Sequence, residues 1–492
     1  MAVSSGVIAE DAGRLLWFLV DGLPFKLVEK FADQPHLPNL RGALANGKAW
    51  PLSNTRPNCQ TPPSLAALWS GTGPTESGII GYDLPDLPGR PTGFSPAFEH
   101  YPKNLNWIWN AYADACEGIR LCHIPFVDPE RLGSGLQSYS YGFIPPLSPP
   151  CVEELVSSQA RRDGVRTQDG RLIALHEGEW APAMHGKAVG ELEQAVSRWP
   201  LRAQSFGKAY RSGLLGPPMS IGGDGTAERL LAGSIDTLSE RYYEEFLFCV
   251  RLNDARLVVG YQPAMDLLLH ELAGYLDESN LLYSPARQAV ALDLILPALR
   301  KLDRFLEQFK RACGANDRAL ICSDHGMGSI DRILRPNVAL LELGFLQADS
   351  EGRIDPELST CFFHPSEAGF LTFNVRQMNA KGISTKEVLD KLTERIFEDC
   401  GASAEFLQHE WNASSDNWDV SWFLRPPKHF QAKSNVTGDL IVPAIKTGDH
   451  AVTSADPMLL GTLIEVGALE CVPKNTDIFN ILEVKATFSH FG

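Results

Sequence analysis

Apolar positions along this chain gather into short continuous runs that stop abruptly at Asp, Gly or His. Leu15-Leu-Trp-Phe-Leu-Val20 ends in Asp21-Gly22, and Arg318-Ala-Leu-Ile-Cys-Ser323 ends in Asp324-His325-Gly326. A run without polar alternation predicts a strand buried on both faces. The edge at which such strands end is where α/β sheets place their chemistry. Phe246–Arg251 and Arg256–Tyr261 read as further strands, and Met458–Val466 is another apolar run near the C-terminus. A 3.6-residue stripe predicts a long helix over Pro285–Ala312, with shorter helices at Val338–Leu343 and Thr385–Ile396 and a strand at Gly369–Val375. Pro62 to Trp69 reads as the start of a helix, with Thr61 in reach of its cap and prolines in its first positions.

From about Leu84 to Glu240 the periodicity weakens, and Pro, Gly and aromatic residues dominate tracts such as Tyr141–Pro150. The expected organisation is therefore a core assembled from 1–83, 241–330 and 445–492. An insertion at 84–240 and a second insertion or cap at 331–444 would interrupt it. No internal repeat is visible.

Composition narrows the picture. Among 492 residues, 44% are hydrophobic and 21% charged, the balance of a globular protein. A net charge of −16 disfavours a sequence-independent grip on nucleic-acid polymers or on an anionic membrane, both of which need clustered Lys and Arg. The run Leu15–Val20 is too short for a secretory signal core, and no apolar run approaches a membrane span. Ten cysteines without a CxxC pair read as reduced thiols, so a cytoplasmic enzyme is expected, its oligomeric state left open. The sequons at Asn412 and Asn435 are expected to be idle in that setting.

The candidate chemistry lies in the distribution of Asp and His: Asp21, Asp266-x-x-x-His270, Asp324-His325 and His450. Each has a plain structural reading taken alone. Asp after a strand is commonly a turn or cap residue, an i, i+4 Asp/His pair is commonly a surface hydrogen bond, and His450 suits any loop. Leu267–Leu269 argue that the middle pair is buried, and neighbouring Asp324 and His325 on one turn can face two ions. Carboxylates and neutral imidazoles are ligands for zinc-like ions, and a two-metal site needs about six of them.

In this chain order, the strand–Asp-Gly, Asp-x-x-x-His, Ser323-Asp-His-Gly-Met327 and Gly448-Asp-His450 elements resemble the alkaline phosphatase superfamily. Thr61-Pro-Pro-Ser-Leu-Ala-Ala-Leu-Trp-Ser-Gly71 resembles the nucleophile segment of its type I phosphodiesterase and nucleotide pyrophosphatase branch. The resemblance implies an α/β sandwich with a large mixed, mainly parallel sheet flanked by helices, and ligands at the C-terminal strand edge. It also implies two divalent ions, zinc or else manganese. Asp21, Thr61, Asp324 and His325 would hold one; Asp266, His270 and His450 would hold the other. Thr61 would be the nucleophile, forming a phospho-threonine on the way to cleaving a phosphodiester or phosphoanhydride of a small metabolite.

The departures concern substrate. Where relatives carry an Asn about twenty residues after the nucleophile, this chain has Tyr82; Asn58 is a possible substitute and Arg56 a possible phosphate clamp. Cys59 lies two residues too early for the C-x-P-x-R segment of sulfatases and reads as a buried thiol or a supporting residue. The segment Ile333–Phe345 resembles the piece after the Asp-His-Gly turn in phosphohydrolases and phosphomutases of the superfamily. Hydrolysis of a phosphodiester or phosphoanhydride is therefore expected ahead of a phosphomonoester, with phosphomonoester or phosphonate hydrolysis or mutase activity on the same site as rivals. A non-catalytic metal-binding protein of this fold is the rival from another class, though all seven positions are filled.

Overall fold

In a computed structural model, the described residues are 13–127 and 207–489 apart from 88, 100, 101, 103, 104, 116, 117, 208, 209, 254, 367, 410–416, 453–455, 474 and 475. Between those blocks only short strands at 136–138, 165–166, 172–173, 175–176 and 179–180 are described. The Tyr141–Pro150 tract and the Asn412 sequon lie outside the described residues.

The centre is a seven-stranded sheet in the order Ala49–Leu52, Gly461–Glu465, Arg318–Cys322, Leu15–Val20, Leu257–Gln262, Ile119–Cys122, Leu136–Ser138. All neighbours run parallel except around Gly461–Glu465, which is antiparallel to both of its partners. The unbroken apolar run of the central strand is explained by what covers it. Leu16, Phe18 and Val20 face one core, against Phe246 and Phe305. Leu15, Trp17 and Leu19 face a second core containing Trp69 and Trp109. Alternation by two puts successive side chains on opposite faces, so only an all-apolar strand suits a sheet covered twice.

Two long helices, Thr226–Leu252 and Pro285–Ala312, form the cover on the first face. The second starts as its sequence predicts, with Ser284 accepting from Arg287 N and proline in the first turn. The first corrects an expectation. Phe246–Arg251 is the last turn and a half of the Thr226–Leu252 helix and not a strand. Phe246, Leu247, Cys249 and Val250 are all buried between the sheet and its neighbours, so helical residues here form a run as continuous as a strand's.

The boundaries are also less clean than the sequence suggested. That helix crosses position 240, and Ile119–Cys122 and Leu136–Ser138, from within 84–240, extend the central sheet. Gly328–Leu334 crosses 330 and pairs with His429–Ala432, Ile441–Pro443 and Gly448–Asp449. Beyond it, a four-stranded antiparallel sheet ordered Cys361–Phe363, Phe370–Asn374, Trp418–Arg425, Glu405–Gln408 packs with the helix Thr385–Cys400 around a hydrophobic core of its own. Among the described residues no helix is long and apolar enough to cross a membrane.

Candidate metal centre

The site begins with backbone geometry at the strand ends. Asp21 N donates to Gln262 O at 3.0 Å, and Asp266 N donates to Asp21 O at 3.0 Å, which draws the first turn against the start of helix Ala264–Leu272. Gly22 sits at φ 66°, and a Cβ there would lie 2.7 Å from the Asp266 Cα, so glycine is required twice over. Gly326 is pressed equally hard. Its added Cβ would stand 1.9 Å from Met458 O, where the Asp-His-Gly turn meets the short turn Pro457–Leu459 that leads into the strand Gly461–Glu465. Ser323 ties the ends together, accepting from Leu23 N at 2.9 Å and donating to His325 O.

These turns bring Asp21, Thr61, Asp266, His270, Asp324, His325 and His450 into one cluster, buried except for the partly exposed His270. Asp21, Asp266 and His325 each offer a ligand atom within 4.8 Å of the others, and so do Asp266, His270 and His450. Asp266 is common to both groups. His325 Nε2 lies 3.3 Å from Asp21 Oδ1 and from Asp324 Oδ2, and 3.1 Å from Thr61 Oγ1. His270 Nε2 lies 3.3 Å from Asp266 Oδ1, with His450 Nε2 at 3.8 Å from the same oxygen. The rings of His325 and His450 stack with centroids 4.0 Å apart.

Helix Thr61–Ser70 starts one residue earlier than expected: Gln60 is the extended N-cap residue, and Thr61 is the first helical residue instead of the cap. Its side chain is fully buried, and Tyr82 Oη donates to its Oγ1 at 2.9 Å.

The cluster fits cations on three counts. Asp21 Oδ1, Asp266 Oδ1 and Asp324 Oδ2 are buried without a hydrogen-bond partner. Burial raises all three carboxyls: Asp324 to about 7, and Asp21 and Asp266 well above the usual range, helped by their neighbouring carboxylates. Burial also holds His270 and His450 neutral, the form that ligates, with Lys446 adding to the effect on His270 and His325 to that on His450. Two carboxylates 4 Å apart repel by about 4 kcal/mol in a typical protein dielectric, more than the ~1 kcal/mol net of a hydrogen bond. Positive ions resolve that conflict. Finally, Nδ1 of His270 is 2.8 Å from Gly448 O and Nδ1 of His325 is 2.9 Å from Gly326 O, contacts that leave each Nε2 free as a ligand atom.

The proposed substrate residues separate. Tyr82 lines the cleft of about 360 Å³ that opens over Asp266, His270 and His450. Asn58 does not face it: its amide nitrogen donates to Gln60 Oε1, Ile80 O and Ala368 O. Gln60 Oε1 also accepts from Tyr82 N at 3.1 Å, so Asn58 fixes the segment that carries Tyr82. Arg56 is exposed and lines a different hollow with Gly73–Glu76 and Asn480–Leu482. Cys59 is a buried thiol donating to His450 O at 2.7 Å.

Sequence reasoning missed three kinds of residue. Tyr261 Oη donates to Asp21 Oδ2, and the only signal for it was a phenol at the end of a buried strand. Arg425, Lys433 and Lys446 bring positive charge to the cleft from a stretch without any recognisable spacing. Arg211 and Glu271 line it as an ion pair.

A mainly parallel α/β sheet whose strand ends gather carboxylates and imidazoles defines an enzyme with a strand-edge centre suited to divalent cations. The particular family follows from comparison: residues 15–457 match the type I phosphodiesterase / nucleotide pyrophosphatase family, and the chain belongs to it. It is thus a phosphoric ester hydrolase of the alkaline phosphatase superfamily. Among solved structures, murine ectonucleotide pyrophosphatase / phosphodiesterase 5 is 12% identical over 97% of this chain and 94% of its own, with a TM-score of 0.47. Phosphonoacetate hydrolase from Sinorhizobium meliloti 1021, in complex with phosphonoacetate, is 12% identical over 97% and 95%, with a TM-score of 0.49. No curated protein matches the chain.

Proposed function

We propose that this enzyme cleaves a phosphodiester or phosphoanhydride bond of a small metabolite through a phospho-threonine at Thr61, using two divalent ions, zinc or manganese. The observation that carries the proposal is Thr61 Oγ1 lying 3.1 Å from His325 Nε2, at the border of two ligand groups that share Asp266. Asp21, Asp324, His325 and Thr61 would hold one ion and Asp266, His270 and His450 the other. When bound, such ions lower the pKa of a coordinated hydroxyl and neutralise charge on the attacking and leaving oxygens.

The chain's own groups do the rest. Thr61 Oγ1 attacks phosphorus; the new O–P bond forms as the bond to the leaving oxygen breaks, and that oxygen departs with the electron pair and takes up the proton that the threonine hydroxyl gives up. Tyr82, donating to Oγ1 at 2.9 Å, is within reach of a phosphoryl oxygen once Thr61 is esterified. Water then attacks phosphorus, the P–Oγ bond breaks, and a proton from that water restores the hydroxyl. The first turn of helix Thr61–Ser70 favours negative charge at Oγ1. Free cysteines among the described residues suit a reducing, cytoplasmic setting, which is part of the proposal.

Turnover of an aryl phosphodiester by the metal-replete protein tests the reading. Thr61→Ala is expected to lower kcat by roughly four orders of magnitude or more, as for loss of other covalent nucleophiles. Unchanged turnover would remove Thr61 from the chemistry.

A further inference from the structure

The charged groups other than Arg425 in the cleft over the metal ligands have partners. Arg211 pairs with Glu271, Lys446 Nζ lies 3.7 Å from Asp449 Oδ2, and Asp266 belongs to the ligand cluster. Arg425 is different. It ends the strand Trp418–Arg425, is 5% exposed, and lines the same cleft. Among the described residues its guanidinium makes one hydrogen bond, to Pro57 O, while its Nε is buried without an acceptor. Glu405 stands opposite it across the two strands, but no carboxylate among the described residues forms an ion pair with it. A buried charge that is not paired costs several kcal/mol, and a guanidinium cannot escape by losing its proton.

Taking the reading above as its basis, we propose that Arg425 anchors an anion subsite, so that the substrate carries a second negative group, phosphate or carboxylate, away from the scissile phosphorus. The guanidinium fork suits either oxyanion, because both present two oxygens in one plane to parallel N–H donors. Lys433, on the same wall, adds positive charge to the subsite. Binding the distal anion supplies the counter-charge that the folded chain withholds from Arg425. The bound group also fixes the phosphorus relative to Thr61, since Arg425 grips Pro57 O in the loop leading to the nucleophile.

The test compares three 4-nitrophenyl compounds on the metal-replete full chain: the propyl phosphate diester, the 2-carboxyethyl phosphate diester, and the diphosphate diester bis(4-nitrophenyl) diphosphate. Wild type is expected to prefer one or both of the doubly charged compounds over the propyl ester by about tenfold to a hundredfold in kcat/KM, the scale of a charged hydrogen bond. Which of the two is preferred distinguishes carboxylate from phosphate. Arg425→Gln should collapse that ratio and Arg425→Lys should restore part of it, with the change chiefly in KM. No preference in wild type, or a ratio unmoved by Arg425→Gln, overturns the subsite. If Arg425 served only to hold Pro57, all three compounds would slow together, and the ratio would stay. Failure of the underlying reading looks different: the propyl ester would be cleaved equally by wild type and Thr61→Ala.

Discussion

The floor of the cleft, where Asp266 and His270 reach the lining above the buried Asp21, Asp324 and His325, is made of turns and a helix at the ends of strands buried on both faces. Its wall, carrying Phe363, Ser366, Arg425 and Lys433, belongs to small sheets with a separate hydrophobic core. The floor is over-determined. Glycines that admit no Cβ, backbone bonds between turns, and a sheet covered twice hold its side chains within a few ångströms. The wall is joined to it by the apolar face of Ala368, Phe370, Val420 and Phe423, which share a core with Trp17 and Trp69, and by polar contacts such as Asn58 to Ala368 O and Arg425 to Pro57 O. A floor of this kind conserves a reaction type, while a wall of this kind is free to choose what reacts.

The comparison sharpens first at Tyr82, where floor and wall meet. Tyr82→Phe removes the hydrogen bond to Thr61 Oγ1 and is expected to cost roughly 10- to 100-fold in kcat, with metal content intact. A change in KM alone would move Tyr82 from the chemistry to the wall. Next comes pH. With Asp324 held at about 7 by burial, the floor binds protons near neutrality that an incoming ion must displace. Metal affinity should therefore fall by about tenfold per unit as pH drops below 7, and loading should release protons into a weakly buffered solution. A flat profile from pH 7 down to 5 would contradict the raised carboxyls. The smallest effect belongs to Arg56, outside both regions: Arg56→Ala should leave turnover within about twofold, as surface substitutions do.

The floor was legible in the sequence because its physics is local. An apolar run that ends in Asp-Gly or Asp-His-Gly declares both the buried strand and the polar residue it delivers, and Asp266 and His270 declare themselves by helical spacing within an apolar stretch. The same logic failed at Phe246–Arg251, since a helix wedged between a sheet and its neighbours is as apolar as a strand. It failed differently at Asn58 and Arg56, where nearness to Thr61 in the chain stood in for nearness in space. Asn58 turned inward to backbone carbonyls and Arg56 outward to solvent. Arg425 lies 364 positions beyond Thr61 in the sequence, and no periodicity connects the two. Only the packing of the wall's strands onto the loop before Thr61 brings it to the cleft.

Anomalous diffraction from zinc-loaded crystals reads the central claim most directly, because paired cations on a shared carboxylate either exist or do not. In wild type, two peaks about 4 Å apart are expected, one bordered by Asp21, Asp324, His325 and Thr61 and the other by His270 and His450, with Asp266 near both. Asp266→Asn should lose at least one peak. A single peak in wild type, or two that lie away from Thr61, would contradict the account.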